Sequence, residues 1–161
     1  MKVKIKLLDH YDRSFDPPAY QSSGAAGVDL RACLPEGKMM ICPGERILVP
    51  TGLAVEIPVG HEWQIRPRSG LSLKTNLLIP NSPGTIDSDY RGEIKIILGN
   101  FGQESIIINH GDRIAQAVLC RFERADFTVV EELSLSVFNL DMGFLLDFVV
   151  SDAKYKASFS Q

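Results

Sequence analysis

The feature that most constrains this 161-residue chain is its punctuation. Short apolar runs recur along it, and Gly, Pro or Asn cuts off nearly every one before a helix of several turns could form. Val3-Lys4-Ile5-Lys6-Leu7 alternates with period two, as a half-buried strand does. Arg46 to Val49, Gly52 to Ile57 and Glu62 to Arg66 are separated by Pro50-Thr51-Gly52 and Pro58-Val59-Gly60. Glu93 to Leu98, Ser105 to Ile108, Ile114 to Phe122 and Phe127 to Glu131 continue the series. Gly24 to Ala32 leads into a further strand, and Pro35-Glu36-Gly37 and Cys42-Pro43-Gly44-Glu45 bracket another short run. Asp16-Pro17-Pro18-Ala19-Tyr20 reads as a rigid, extended connector, because proline fixes φ and restricts the residue before it. The pattern gives about ten short strands, the spacing of a β-sandwich or barrel. One short helix is expected after Ser69-Gly70, through Lys74. With few aromatics, Val, Ile and Leu must fill the core.

Composition narrows the function classes. The 45% hydrophobic and 23% charged residues are those of an ordinary soluble domain. A net charge of −3 and the lack of any Lys/Arg run argue against a nucleic-acid partner. Met1 to Phe15 has no apolar signal core and no run is long enough to span a bilayer, so no membrane association and a cytoplasmic setting are expected. Cys33, Cys42 and Cys120 are odd in number and show no C-x-x-C pair, which argues against a disulfide framework. His10, His61 and His110 are scattered, which argues against a protein-ligated zinc.

The candidate chemistry centres on Asn81-Ser82-Pro83-Gly84-Thr85-Ile86-Asp87-Ser88-Asp89-Tyr90-Arg91-Gly92. Apolar runs flank it, Leu77 to Ile79 before and Ile94 to Leu98 after, so it reads as a β-hairpin with a polar tip. Gly84 and Gly92 would let the backbone approach a flat ligand. Asp87 could hold a water or hydroxyl, and Tyr90 could cover a ring face. Arg66-Pro67-Arg68-Ser69-Gly70-Leu71 places a guanidinium beside a helix start, where free N–H groups suit an oxyanion, although Ser is also an ordinary N-cap. In Gly111-Asp112-Arg113-Ile114-Ala115-Gln116, Arg113 and Gln116 could reach a polar ligand, or the stretch is a plain turn entering a strand. Ala26-Gly27-Val28-Asp29-Leu30 reads equally as a tight loop with a solvated Asp.

Taken together and in this order, the four stretches resemble the first four signature motifs of the trimeric deoxyuridine triphosphate nucleotidohydrolases (dUTPases), over residues 1 to about 135. The resemblance implies an all-β, jelly-roll-like β-barrel of the dUTPase-like (β-clip) type, assembled as a homotrimer with active sites at subunit interfaces. It implies Mg²⁺-dependent hydrolysis of dUTP to dUMP and pyrophosphate, which keeps uracil out of DNA and supplies dUMP for thymidylate synthesis. By the same resemblance, Asp87 would bind the 3′-hydroxyl and activate the attacking water, and Gln116 would help place that water or the α-phosphate. Tyr90 would exclude a 2′-hydroxyl. Asn81, Thr85, Ile86 and Lys95 would read the uracil edge. Arg68, Ser69 and Gly70 of a neighbouring subunit would grip the phosphates. Asp29 would orient water on an Mg²⁺ held mainly by those phosphates.

One departure concerns the family's glycine-rich C-terminal arm, with its Arg and Phe. Beyond Ser136 the chain has no Arg and a single Gly, so residues 1–136 are expected to form the barrel domain and residues 137–161 an atypical apolar tail. A changed reading frame at the gene's end would produce such a tail, and resequencing would settle that. Without the arm, a dUTP-binding trimer with weak turnover is one alternative, and a dCTP deaminase-like enzyme is another.

Overall fold

The computed structural model describes residues 1–134. Met1–Arg124 forms one compact unit, and a second begins at Ala125. Every strand and helix of the described residues lies in the first unit. Residues 125–134 form neither helix nor strand, so the strand expected over Phe127 to Glu131 is absent. Alternation of apolar residues makes a strand only where a partner strand accepts its hydrogen bonds, and among the described residues this segment has none. Residues 137–161, including the expected tail, lie outside the described residues.

All the pairing is antiparallel. β1 (Lys4–Leu7) pairs with β5 (Leu53–Glu56), and β3 (Lys38–Ile41) pairs with β10 (Ile106–Asn109). A three-stranded sheet runs in the order β4 (Arg46–Pro50), β9 (Lys95–Asn100), β7 (Leu77–Leu78). A four-stranded sheet runs in the order β2 (Gly27–Arg31), β11 (Arg113–Arg121), β6 (His61–Arg66), β8 (Gly84–Ile86). The helix α1 covers Ser69–Lys74; it ends where expected but starts two residues earlier, so that Ser69 and Gly70 lie inside it and Arg68 occupies its N-cap.

The inward positions are the even or odd residues of each strand, as the pleat requires. Leu30, Ile41, Val49, Ile94, Ile96, Leu98 and Ile114 are at most 1% exposed, and Trp63 and Tyr11 are the only aromatics in the core cluster. Each such aliphatic contributes about 1.5–3 kcal/mol of burial free energy. Asn100, buried on β9, donates from Nδ2 to Ile41 O (2.9 Å) and Glu104 O (2.7 Å), and its Oδ1 accepts from Gly102 N–H (2.9 Å).

Strand β11 carries one irregularity that matters for the site. Its register with β2 slips between Arg113, which faces Arg31, and Ala115, which faces Leu30. Ile114 is the extra residue of a bulge, and both Ile114 and Ala115 are fully buried. In an unbroken strand Arg113 would point the same way as Ala115 and Ala117, into the core. The bulge turns it to the outer face, which it shares with Arg31 and Asp29.

The three cysteines are free thiols. His110 is a structural link: Leu34 N–H donates to Nδ1 at 3.0 Å, so the proton sits on Nε2 and is donated to Asp12 Oδ2 at 2.8 Å. Phe15 packs on the His110 ring with centroids 4.8 Å apart.

Candidate active site

The runs flanking the central stretch do pair, with Leu77 opposite Asn100 and Leu78 opposite Gly99. The connection is more than a hairpin tip, however. Gly84–Ile86 leaves it as a strand of the other sheet, with Gly84, Thr85 and Ile86 opposite Ile65, Gln64 and Trp63. β8 is the last strand of that sheet, so among the described residues its outer edge presents N–H and C=O groups with no ladder partner. A ligand with donors and acceptors along one edge can complete such a ladder.

Beside this edge lies a cavity of about 430 Å³. Asn81, Thr85, Ile86, Tyr90 and Lys95 all line it, together with Glu93, against an apolar wall that includes Ile65 and Ile79. Five of the six residues expected to hold base and sugar, all but Asp87, are therefore gathered at one place. Its size suits a small planar ligand. The two glycines serve it differently from the expectation. A Cβ on Gly84 would stand 2.9 Å from Asn81 Nδ2, and a Cβ on Gly92 would stand 2.5 Å from Tyr90 Oη. Their missing side chains make room for Asn81 and Tyr90, and Gly84 also lines the cavity. Asp87 follows Ile86, is exposed, and is not part of the cavity wall; its carbonyl oxygen accepts from Tyr90 N–H at 3.2 Å.

Glu93 is the residue that the sequence reading missed. Its Oε1 accepts from Gly52 N–H (2.9 Å) and lies 2.8 Å from His10 Nε2, its Oε2 lies 3.5 Å from Lys95 Nζ, and its carbonyl oxygen accepts from Tyr90 Oη (2.9 Å). Burial alone would raise its carboxyl, but the Gly52 N–H and the His10 and Lys95 nitrogens outweigh that and hold it below the ordinary value. The signal was available. Ile94, Ile96 and Leu98 point inward, so Glu93 and Lys95 share the opposite face as an oppositely charged i, i+2 pair.

The remaining candidates form a second cluster, on the outer face of the four-stranded sheet. Gln116 of β11 sits directly between Asp29 of β2 and Arg66 of β6. Its Nε2 donates to Pro67 O at 2.9 Å, which fixes the backbone entering the Arg68-Ser69-Gly70 turn. Arg68 Nε donates to Asp29 Oδ1 at 2.6 Å, Arg68 Nη2 to Asp29 Oδ2 at 3.3 Å, and Arg113 Nη1 to the same Oδ2 at 3.2 Å. Leu71 and Ser72 N–H both turn back to Arg68 O, so Ser69 and Gly70, both exposed, keep free N–H groups at the helix start. Among the described residues no three His, Cys, Asp or Glu side chains converge as a metal site, and no helix is long and apolar enough to cross a membrane.

The chain is similar to known proteins. The family model for dUTPase matches residues 13–144. The deoxyuridine 5′-triphosphate nucleotidohydrolase of Bdellovibrio bacteriovorus is 52% identical over 134 residues, 83% of this chain and 88% of that protein. The enzyme of the same name from an Anaeromyxobacter species is 50% identical over 83% of this chain and 89% of its own. Among solved structures, the dUTPase of Staphylococcus bacteriophage 80alpha with dUPNHPP superposes with a TM-score of 0.74 at 26% identity, over 84% of this chain and 92% of that one. A mutant dUTPase from phage phi11 of S. aureus, described with a structural Mg(II) ion, gives a TM-score of 0.71 at 25% identity, over 82% of this chain and 98% of the other. The match runs through both side-chain clusters and far exceeds half of the sequence: this chain belongs to the dUTPase family.

Proposed function

We propose that the protein is a dUTP diphosphatase that hydrolyses dUTP to dUMP and pyrophosphate, limiting uracil in DNA and supplying dUMP for thymidylate synthesis. The observation that carries this reading is the cavity in which Asn81, Thr85, Ile86, Tyr90 and Lys95 meet the free edge of β8, in a chain of the dUTPase family. Uracil offers an acceptor–donor–acceptor edge. Cytosine offers another, which would leave buried polar groups unpaired against a fixed backbone pattern. Tyr90, held over Gly92 by its bond to Glu93 O, is the wall against which a 2′-hydroxyl would clash.

Asp87 is the acceptor that holds the 3′-hydroxyl and takes the proton of the attacking water. Arg68, with the N–H groups of Ser69 and Gly70, receives the phosphates, and Gln116 keeps the Pro67 carbonyl, and so that turn, in place. The two clusters meet across subunits of a homotrimer, the arrangement that the family resemblance implies. Asp29 fits an outer role toward Mg²⁺: its oxygens already accept from Arg68 and Arg113, and a carboxylate with about four lone-pair sites keeps one for a metal-bound water. Mg²⁺, when bound with the nucleotide, supplies charge neutralisation at the phosphates. The setting we propose is cytoplasmic.

The test is pyrophosphate release with Mg²⁺ from dUTP, dCTP, dTTP and UTP side by side. Release from dUTP alone is expected. Ammonia release from dCTP would replace this reading with a deaminase, and tight dUTP binding without pyrophosphate would reduce it to a binding protein.

A further inference from the structure

We propose that Asp29 is a positioning residue for the phosphate-binding arginine: it fixes the Arg68 guanidinium so that one edge stays presented to the polyphosphate, and it does so without metal. The proposal rests on the assignment of this cluster to the phosphates of dUTP.

The geometry decides which donors remain. A guanidinium has five N–H donors in a plane and two edges that can form a fork with an oxyanion. Asp29 takes the Nε–Nη2 edge, at 2.6 and 3.3 Å, and the Arg113 carbonyl takes a long contact from Nη1 at 3.4 Å. One N–H of Nη1 and one of Nη2 remain as donors for an oxyanion. Arg68 and Asp29 are 23% and 22% exposed, so the pair is sheltered, and its two contacts hold the guanidinium plane. Arg113 closes the other side of the carboxylate at 3.2 Å and carries the second positive charge that keeps the cluster net cationic. Gln116, bonded to Pro67 O, holds the backbone from the other side. An arginine on a free stem would have to give up its rotamer freedom on binding; one clamped along its length has already done so.

Positioning and a metal-relay role predict opposite signs in the absence of metal. If Asp29 acted only through metal-bound water, its negative charge would merely repel a metal-free polyphosphate. Asp29→Asn would then leave affinity unchanged or raise it. Positioning predicts the reverse, because the Asn amide N–H₂ faces a donor and releases the arginine. The experiment is titration of the non-hydrolysable analogue α,β-imido-dUTP in EDTA, with deoxyuridine as the phosphate-free probe. Asp29→Asn is expected to weaken the analogue about tenfold or more and to leave deoxyuridine alone. Arg68→Lys, which keeps the charge and loses the fork, is expected to weaken it similarly. The double variant is expected to be no weaker than Arg68→Lys alone, since Asp29 acts through Arg68. Thermal melting of each variant checks folding, and Arg113→Gln, which spares the Arg68–Asp29 contact, gives a smaller loss if Asp29→Asn does not fold. Unchanged or tighter analogue binding by Asp29→Asn, additive losses in the double variant, or an Arg113→Gln loss as large as that of Arg68→Lys would each overturn the proposal. Failure of the wild-type protein to bind the analogue at all would instead overturn the dUTP assignment.

Discussion

The phenol of Tyr90 donates to the carbonyl oxygen of Glu93 at 2.9 Å, and the ring reaches it by lying across Gly92, where a Cβ would come within 2.5 Å of the hydroxyl. The position of the Tyr90 ring, the proposed sugar wall, is thus set by a missing side chain. Gly92→Ala is expected to displace the ring, to lower kcat/KM for dUTP about tenfold, and to narrow the preference for dUTP over UTP. Parallel kinetics with the two nucleotides check this; equal losses on both would mean that Tyr90 does not guard the 2′ position.

Asp87 is exposed and makes no side-chain hydrogen bond among the described residues, so its carboxylate is free to accept from a water. Asp87→Asn is expected to keep dUTP affinity and to lower turnover by about 100-fold or more. Single-turnover rates with binding titrations separate the two effects. A near-wild-type rate would remove Asp87 from the role of base.

Acid stability should carry the mark of the Asp12–His110 link. The Ser14 N–H, and then the His110 ring, hold the Asp12 carboxyl down at about 2. A depressed folded value means stability that is present above the unfolded value, about 3.9, and is lost as pH falls through about 2. The Tm difference between wild type and Asp12→Asn is therefore expected to be full above about pH 4 and to shrink toward pH 2. A difference that stays constant across that range would show that the charge is not what matters.

Asn100 makes three hydrogen bonds from a fully buried position. Asn100→Leu would strand two carbonyls and one N–H and is expected to cost about 3 kcal/mol in urea unfolding. A loss under about 1 kcal/mol would mean that water replaces the amide.

The all-β class was legible because turn residues interrupt nearly every apolar run, and α1 was legible from Leu71 to Lys74, though not its start at Ser69. The strand Gly84–Ile86 was not. Three residues that begin with Gly and follow Pro carry no local preference, and it forms because β6, nearly twenty residues earlier, offers an edge. The opposite error fell on Phe127 to Glu131, where strong local preference met no partner. Asn81, Thr85, Ile86, Tyr90 and Lys95, which line the cavity, could be named from their motif, whereas for Glu93 the sequence offered only its charge pairing with Lys95. The importance of Glu93 comes from Gly52 and His10, which only the fold brings to it.

The extra residue at Ile114 means that β11 changes its side-chain phase partway along. From Ala115 onward the strand keeps time with the buried wall; before it, the count is off by one. If Ile114 were paired as an ordinary ladder residue, Arg113 would turn into the hydrocarbon interior, away from Asp29. Transplanting this phosphate cluster into another antiparallel scaffold therefore requires carrying over the irregular step along with the four side chains. A host with an uninterrupted ladder would accept the sequence and still present the wrong face.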